Sequence, residues 1–232
     1  MTNRKNKAVI LLSGGLDSAV SIAVAQTREI YFELALTFDY GQKAFEKEYT
    51  SSKNLAAFYK IPHKCIKLDW LKDITNTALV SADIVPDVAE TSLDNEKITT
   101  ESMKNVWVPN RNGLFINIAA SFADSHGYDY IVIGANKEEA ATFSDNSKKF
   151  IEDMNEVLKT STNKDIKVIA PLINYNKNEI IKKALELEVP LKFINSCYNS
   201  VKGHCGKCES CSRLKRALEN NGCDTIIKEL FS

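Results

Sequence analysis

The sequence has no net charge and no long hydrophobic run, and each absence excludes a class of protein. Thirty basic residues balance thirty acidic ones, so no overall positive field attracts the chain to nucleic acid or to an anionic membrane. The first apolar run, at residues 8–12, is too short for a signal peptide core or a membrane span. We therefore expect a cytoplasmic protein without a membrane anchor, and we do not expect nucleic acid as its partner.

Two common nucleotide-binding motifs are also missing. The chain has neither the G-x-x-x-x-G-K-[ST] loop of kinases and GTPases nor the G-x-G-x-x-G loop of dinucleotide sites. With 232 residues, of which 44% are hydrophobic and 26% charged, it can bury one large α/β core and carry a small appendage. We predict a larger domain over residues 1–190 and a small subdomain over residues 191–232.

Short apolar runs alternate with helical patterns along most of the chain. Strands are predicted at residues 8–12, 34–38, 64–68, 130–133 and 167–170, and helices at 18–28, 45–59, 112–124, 148–158, 176–188 and 209–221. This alternation predicts an α/β fold with a doubly wound, mostly parallel sheet. Residues 73–105 show no clean period, so we predict no regular structure there and expect a lid or a binding loop.

A serine- and glycine-rich loop, Ser13-Gly14-Gly15-Leu16-Asp17-Ser18, joins the first predicted strand to the first predicted helix. The glycines permit positive φ and a close approach of phosphate, and the serine hydroxyls can donate to phosphate oxygens. The N–H groups at the start of the helix add partial positive charge. An ordinary turn with capping serines is the alternative. The predicted nucleotide site comprises Leu12, Ser13, Gly14, Gly15, Leu16, Asp17, Ser18, Ala19 and Val20.

Within this loop, Asp17 is a poor direct ligand for phosphate because both are negatively charged. A carboxylate at this position is suited to holding Mg²⁺ or to capping the helix. We therefore predict a phosphate site in which Asp17 either holds Mg²⁺ or caps the helix.

Four of the six cysteines, Cys197, Cys205, Cys208 and Cys211, lie within fifteen residues. Four thiolates at this spacing suit a tetrahedral Zn²⁺, and a closed shell of four ligands indicates a structural role. An iron–sulfur cluster is the alternative, because its ligand spacing overlaps with that of zinc. His204 lies in the same stretch, but four cysteines make a histidine ligand unnecessary.

Basic residues surround the cysteines: Lys202, Lys207, Arg213, Lys215 and Arg216. Such a group could form a small RNA-facing patch. A solvated helix face is the alternative, and the neutral charge of the whole chain favours it.

The glycine loop matches the motif of the PP-loop, or N-type ATP pyrophosphatase, superfamily, whose members split ATP between the α and β phosphates and transfer AMP. Nearly end to end, the chain resembles the family of 7-cyano-7-deazaguanine synthases, which form the nitrile precursor of queuosine and archaeosine. The resemblance implies an adenine nucleotide alpha hydrolase-like fold. Its motifs stand at residues 13–18, 38–42, 108–112, 171–172, 177, 179–180, 196–198 and 205–211.

The resemblance also implies an ATP site that uses Mg²⁺, with Asp17, Arg111 and Lys177 as its catalytic residues. Lys177 or Arg111 would offset negative charge during adenylation, or Arg111 would bind the substrate carboxylate through a bidentate pair. A surface or dimer-interface salt bridge is the alternative for Arg111. Phe38 lies where such folds contact adenine through the backbone, although a core aromatic is the alternative. Asp39 and Glu138 are weaker candidates for Mg²⁺ or purine contacts. The implied partners are ATP, 7-carboxy-7-deazaguanine, ammonia and a second copy in a homodimer.

Residues 136–147 depart from the form of many bacterial members and resemble archaeal relatives, which favours the archaeosine pathway. We expect this segment to face the substrate. Three other functions stay open: a PP-loop enzyme that thiolates tRNA, a non-enzymatic zinc module, and an enzyme that uses the same chemistry to attach a deazaguanine to a protein.

Overall fold

A five-stranded parallel sheet forms the centre of the protein, in a computed structural model that describes residues 6–199, 201 and 203–232. Its strands are β1 (Asn6–Leu11), β2 (Ile30–Asp39), β3 (His63–Lys67), β4 (Tyr130–Val132) and β5 (Lys167–Ile169). Their order is β3-β2-β1-β4-β5, and every neighbouring pair is parallel. This topology confirms the predicted doubly wound sheet.

Strand β1 is central because both of its faces are buried. Ala8 and Ile10 belong to the core on one face, and Val9 belongs to the core on the other. All three side chains are inaccessible to solvent. A continuous apolar run is what a strand covered by helices on both faces requires.

Helices cover both faces of the sheet. They are α1 (Leu16–Gln26), α2 (Phe45–Phe58), α3 (Asp69–Asp73), α4 (Glu96–Val106), α5 (Arg111–His126), α6 (Lys137–Ala140), α7 (Lys148–Ser161), α8 (Lys177–Glu186), α9 (Glu209–Asn220) and α10 (Asp224–Leu230). Short 3-10 helices lie at Glu90–Ser92, Ser144–Asn146 and Leu191–Phe193. Apolar residues of α1, α2, α8, α9 and α10 share one core, and those of α5 and α7 share the other. Within the described residues, no helix combines the length and the apolar character needed to cross a bilayer.

The prediction of no regular structure at residues 73–105 is wrong, because α4 begins at Glu96. The buried residues of α4 are Thr99, Ser102 and Val106, so no apolar stripe marks its inner face. Asn95 caps the helix by accepting from the N–H groups of its first turn. The short helices α3 and α6 and the last helix, α10, were also not predicted.

The strand order reverses between β1 and β4, and in such sheets ligands bind beyond the carboxyl ends of the strands at this point. The two loops that follow these strands touch one another. A Cβ at Gly134, after β4, would lie 2.8 Å from the backbone nitrogen of Ser18. Gly134 therefore lets the start of α1 approach β4 closely.

Candidate active site

A cavity of about 240 Å³ opens at the carboxyl ends of β1, β2 and β4. The serine- and glycine-rich loop, the start of α5 and residues 195–198 contribute to its wall. Of the predicted site residues, the cavity is lined by Leu12, Ser13, Gly15, Asp17, Ser18, Phe38 and Arg111. Leu16, Ala19 and Val20 are instead buried in the core, so their side chains are not available to a nucleotide.

The two loop glycines have different roles. Gly14 has φ +81°, and a Cβ there would lie 2.7 Å from the backbone oxygen of Glu48. Gly15 has φ −79°, so the prediction of positive φ holds for Gly14 only. A Cβ at Gly15 would meet no atom of the protein closer than 3.4 Å, and Gly15 lines the cavity. Gly14 therefore shapes the loop, whereas Gly15 leaves room beside it.

The loop serines converge on one another at the start of α1. The hydroxyl of Ser18 donates to the backbone oxygen of Gly15 at 3.1 Å and lies 3.2 Å from the hydroxyl of Ser13. Ser13 Oγ accepts from the N–H of Gly15 at 3.3 Å. The first N–H groups of α1 have no partner within the helix and carry partial positive charge. Hydroxyls and helix terminus together suit a phosphate group.

Lys177 lies behind the cavity wall, between two carboxylates that line it. Its Nζ is 2.5 Å from Asp17 Oδ2 and 2.8 Å from Glu139 Oε1. Only 8% of Lys177 is exposed. The other oxygen of Asp17, Oδ1, is buried without a hydrogen-bond partner in the part of the chain that the structure describes. The sequence placed Asp17 and Lys177 in one site, and the structure brings them into direct contact.

The charges of Asp17, Lys177 and Glu139 depend on burial and on one another. Burial raises the pKa of Asp17, Lys177 opposes this, and Glu139 adds to the rise. Burial disfavours the ammonium of Lys177, but the two carboxylates outweigh it and raise the pKa of Lys177. Burial likewise disfavours the charge of Glu139, but Lys177 outweighs it and lowers the pKa of Glu139. The group therefore carries more negative than positive charge when all three are ionised.

Glu138, the weaker candidate from the sequence, has a structural role. Its Oε1 accepts from the backbone N–H of Lys177 at 2.7 Å, and its Oε2 lies 2.9 Å from Arg213 Nη1. The neighbouring Glu139 is the residue that lines the cavity, and sequence reasoning missed it. Asn136 caps α6 and orients both glutamates, a signal that was present in the sequence.

Arg111, the first residue of α5, is half-buried and lines the cavity. Its Nη1 donates to the hydroxyl of Tyr40 at 3.1 Å, and its guanidinium lies 5.9 Å from the centre of the Tyr40 ring. This hydrogen-bond partner is a neutral phenol, while the carboxylates of Glu48 and Asp145 interact with the guanidinium through space. The remaining N–H groups of Arg111 can donate to an anionic ligand.

Aromatic rings form one side of the cavity. Phe38 stacks on Phe115 with the ring centres 3.9 Å apart and the planes 7° from parallel. Phe38 is thus a buried aromatic that also faces the cavity, and its backbone oxygen accepts from Gln42 Nε2 at 2.9 Å. Asp39 accepts from the N–H of Gly41 at 3.2 Å and is not part of the wall.

Asn195, Ser196 and Tyr198 also line the cavity, and sequence reasoning assigned them no role in the nucleotide site. The N–H of Asn195 donates to the backbone oxygen of Gly14 at 2.8 Å. The hydroxyl of Ser196 accepts from the N–H of Leu16 at 3.4 Å. Their signals in the sequence were the position beside the first clustered cysteine and the family motif at residues 196–198. These residues hold the loop between β1 and α1 from the outside.

The four clustered cysteines converge on one point. Their Sγ atoms lie within 4.8 Å of one another, and Cys205 and Cys211 are 3.8 Å apart. The N–H of Cys208 donates to Cys205 Sγ at 3.3 Å, and the N–H of Cys205 donates to Cys197 Sγ at 3.4 Å. Hydrogen bonds from the thiols of Cys208 and Cys211 lower the pKa of Cys197. Such a set of sulfurs can hold a metal ion.

His204 and the basic residues around the cluster have partners elsewhere. The imidazole of His204 lies 3.0 Å from the N–H of Ser196 and 3.1 Å from the backbone oxygen of Leu230. Three of the basic residues pair with acids: Arg213 with Glu138 and Glu209, Lys215 with Glu219, and Arg216 with Asp94. Lys202 lies outside the described residues. Arg213 is buried, so its ion pairs lie inside the protein and not on a solvated helix face. The pairing of Arg213, Lys215 and Arg216 with acids argues against an RNA-facing patch.

Comparison with known proteins gives matches that cover nearly the whole chain. The family model described as "Queuosine biosynthesis protein QueC" matches residues 7–222. The 7-cyano-7-deazaguanine synthase of Methanosarcina mazei is 47% identical over 229 residues, which cover 97% of this chain and 99% of the relative. That of Carboxydothermus hydrogenoformans is 49% identical over 217 residues, with 93% and 99% covered.

Among solved structures, NMN synthetase from Francisella tularensis is 13% identical, and the match covers 98% of this chain and 84% of that one. Its TM-score of 0.47 is too low to support a conclusion. The family model and the relatives do show the family of this chain, because both matches extend over more than nine-tenths of it. This chain belongs to the family of the queuosine biosynthesis protein QueC.

Proposed function

We propose that this protein converts 7-carboxy-7-deazaguanine and ammonia into 7-cyano-7-deazaguanine with consumption of ATP, through adenylated intermediates. The observation that carries this proposal is the single cavity shared by the phosphate-type loop, Asp17 and Arg111. The relatives that bear the name of this activity cover nearly the whole chain, which supports it further.

The first half of the reaction forms an amide. A carboxylate does not accept ammonia, because its leaving group would be oxide. When a carboxylate oxygen attacks the α-phosphorus of ATP, pyrophosphate leaves and the oxygen becomes part of a good leaving group. Ammonia then attacks the acyl carbon, AMP departs with that oxygen, and the nitrogen loses a proton.

The second half repeats the activation on the amide. The amide oxygen attacks the α-phosphorus of a second ATP, and pyrophosphate leaves again. Departure of AMP and loss of the remaining N–H protons give the nitrile. Both substrate oxygens thus leave on AMP, and one phosphate site serves both halves.

The chain's own residues can be matched to these needs. The hydroxyls of Ser13 and Ser18 and the start of α1 would bind the phosphates. Arg111 would bind the substrate carboxylate or offset the charge that develops on the phosphorus oxygens. Lys177 would hold Asp17 in place through their 2.5 Å contact. These assignments follow from charge, reach and position in one cavity.

Mg²⁺ fits Asp17. The Oδ1 atom of Asp17 is a buried carboxylate oxygen without a hydrogen-bond partner in the part of the chain described, which is what a cation ligand requires. Glu139 lines the cavity beside it and would add a second carboxylate. Bound with ATP, Mg²⁺ supplies charge neutralisation at the phosphates.

Zn²⁺ fits the four cysteines. Tetrahedral Zn–S bonds of about 2.3 Å separate sulfurs by roughly 3.8 Å, and Cys205 and Cys211 are 3.8 Å apart. An iron–sulfur cluster would spread its thiolates over several irons, whereas here all four sulfurs lie within 4.8 Å. We therefore propose one structural zinc ion.

Ammonia as the nitrogen donor, a homodimeric assembly and a cytoplasmic location belong to the same proposal and are supported by the family resemblance. Residues 191–232 would form the small zinc subdomain. They pack against α8, because Leu214 and Leu218 of α9 share a core with Ile180.

Incubation with 7-carboxy-7-deazaguanine, ammonium and Mg-ATP tests the activity directly. We expect mass spectrometry to show the nitrile, with two AMP and two pyrophosphate formed for each. The Asp17→Ala variant should form no AMP and keep its zinc. Thiolated tRNA, or a deazaguanine attached to a protein, would support the alternative functions instead. AMP formation at the wild-type rate by Asp17→Ala would refute the site.

A further inference from the structure

The cavity wall contains a carboxylate that the adenylation chemistry does not use. Glu48, on α2, lines the cavity on the side of β2. Its Oε2 accepts a hydrogen bond from Gln42 Nε2 at 2.8 Å. Gln42 ends the Phe-Asp-Tyr-Gly-Gln motif of residues 38–42, in which the family resemblance implied roles for Phe38 and Asp39 but none for Gln42.

Gln42 is a rigid support for this carboxylate. It is 6% exposed, and its Oε1 accepts from the N–H of Tyr40 at 2.9 Å. Its Nε2 donates to the backbone oxygen of Phe38 at 2.9 Å as well as to Glu48. Because Oε1 must face a donor, the orientation of the amide is determined. Gln42 therefore holds one oxygen of Glu48 in a defined position.

Gln42 uses only a small part of the hydrogen-bond acceptor capacity of Glu48. A carboxylate offers about four acceptor sites, and Gln42 occupies one. Burial raises the pKa of Glu48, while the hydrogen bond from Gln42 and the charge of Arg111 oppose this. Arg111 itself donates to Tyr40. A half-buried carboxylate in this position is best satisfied by N–H donors that a ligand brings.

The surroundings of Glu48 suit a flat ring. The stacked rings of Phe38 and Phe115 and the tilted ring of Tyr40 line the same cavity. The backbone oxygen of Glu48 packs against Gly14, since a Cβ there would lie 2.7 Å away. Glu48 lines the same cavity as Ser13 and Gly15, so a base held by Glu48 shares this cavity with the phosphate site.

We infer that Glu48, oriented by Gln42, recognises the base of the substrate by accepting hydrogen bonds from two adjacent N–H donors. A 2-aminopyrimidinone ring, such as that of 7-deazaguanine, presents this pair as its ring N–H and its exocyclic amino group. Adenine presents one amino donor beside a ring nitrogen with a lone pair, which a carboxylate repels. Glu48 thus determines which of the two bases occupies this part of the cavity.

Because this role rests on the proposed function, we choose a measurement that does not need turnover. Calorimetry would give the Kd of 7-carboxy-7-deazaguanine and of its analogue without the 2-amino group, for wild type and for Glu48→Gln. Glu46→Gln is the matched control, because Glu46 is exposed on the same helix. The KM for ATP and the melting temperature are measured in parallel.

We expect Glu48→Gln to weaken binding of the full substrate about 10- to 100-fold, as for hydrogen bonds to charged groups. The loss should be clearly smaller for the analogue, which has already lost one of the two donors. The KM for ATP and the melting temperature should stay as in Glu46→Gln.

Three results would overturn this role: equal losses for both ligands, a change in the KM for ATP without weaker substrate binding, or no binding of the substrate by wild type. The proposed function fails separately if wild type binds the substrate and makes no nitrile. In that case the comparison of Kd values still decides the role of Glu48.

Discussion

The N–H of Ser196 donates to the imidazole Nε2 of His204 at 3.0 Å. Nδ1 of the same ring lies 3.1 Å from the backbone oxygen of Leu230, so Nδ1 carries the proton. The hydroxyl of Ser196 in turn accepts from the N–H of Leu16. A chain of hydrogen bonds therefore connects the end of α10 to the start of α1.

Replacing His204 by alanine should weaken this connection. The buried N–H of Ser196 would lose its partner, which costs about 1–3 kcal/mol. We expect a lower free energy of unfolding and a raised KM for ATP, with the metal content unchanged. Denaturant unfolding, kinetics and metal analysis check this, and His126→Ala, an exposed histidine, is the control. Loss of metal without a change in KM would instead place His204 in the metal site.

The two loop glycines should respond differently to alanine. Gly14→Ala combines a φ of +81° with a contact of 2.7 Å to backbone, so we expect a strongly destabilised protein. Gly15→Ala has an ordinary φ, and its Cβ would make only ordinary van der Waals contacts, so its melting temperature should match wild type while ATP binding falls at least tenfold. Thermal unfolding and ATP titration separate the two effects. Normal ATP binding by Gly15→Ala would show that phosphate does not approach this residue.

The pH dependence should shift when Glu139 is neutralised. The negative charge of Glu139 helps to raise the pKa of Asp17 and competes for Lys177. In Glu139→Gln the pKa of Asp17 therefore falls. If Asp17 acts as a carboxylate, activity is lost as pH drops through its pKa, so the acid limb of kcat/KM should move to lower pH.

A pH profile of both proteins measures this shift, whatever activity Glu139→Gln retains. Glu186→Gln is the control, since Glu186 is exposed and belongs to the same helix as Lys177. An acid limb that stays in place or moves to higher pH would contradict the assigned role of Asp17.

Removal of the metal should also weaken ATP binding at the nucleotide site. Cys197 directly follows Asn195 and Ser196, which hold the loop between β1 and α1. We expect one zinc per chain in wild type, and loss of zinc, a lower melting temperature and a raised KM for ATP in Cys211→Ser. Cys65→Ser, in β3 and outside the cluster, should keep its zinc. Iron with acid-labile sulfide in the purified protein would contradict the zinc assignment.

The fold and the contiguous motifs were predictable from the sequence because their signals are local. Apolar runs between helical patterns indicated the five strands, and their spacing required parallel neighbours. The loop at residues 13–18 and the four cysteines could be found for the same reason. Helix α4 could not, since it buries Thr99 and Ser102 rather than an apolar stripe.

Contacts between distant segments could not be predicted from local patterns in the sequence. Asp17 and Lys177 are 160 positions apart, and no local pattern indicates that they touch. The choice of Glu139 over Glu138 depends on the direction in which α6 leaves its cap at Asn136. Glu48 was missed because a single glutamate on an amphipathic helix looks like any solvated residue.

The contact between Leu16 and Ser196 spans 180 positions of the chain. A ribosome makes the loop at residues 13–18 well before it makes Asn195 and Ser196, the residues that hold this loop. A nascent chain that lacks residues 195 and 196 has the loop without its outer support. We therefore expect nucleotide to bind more weakly to a chain that ends before residue 195 than to one that includes Ser196.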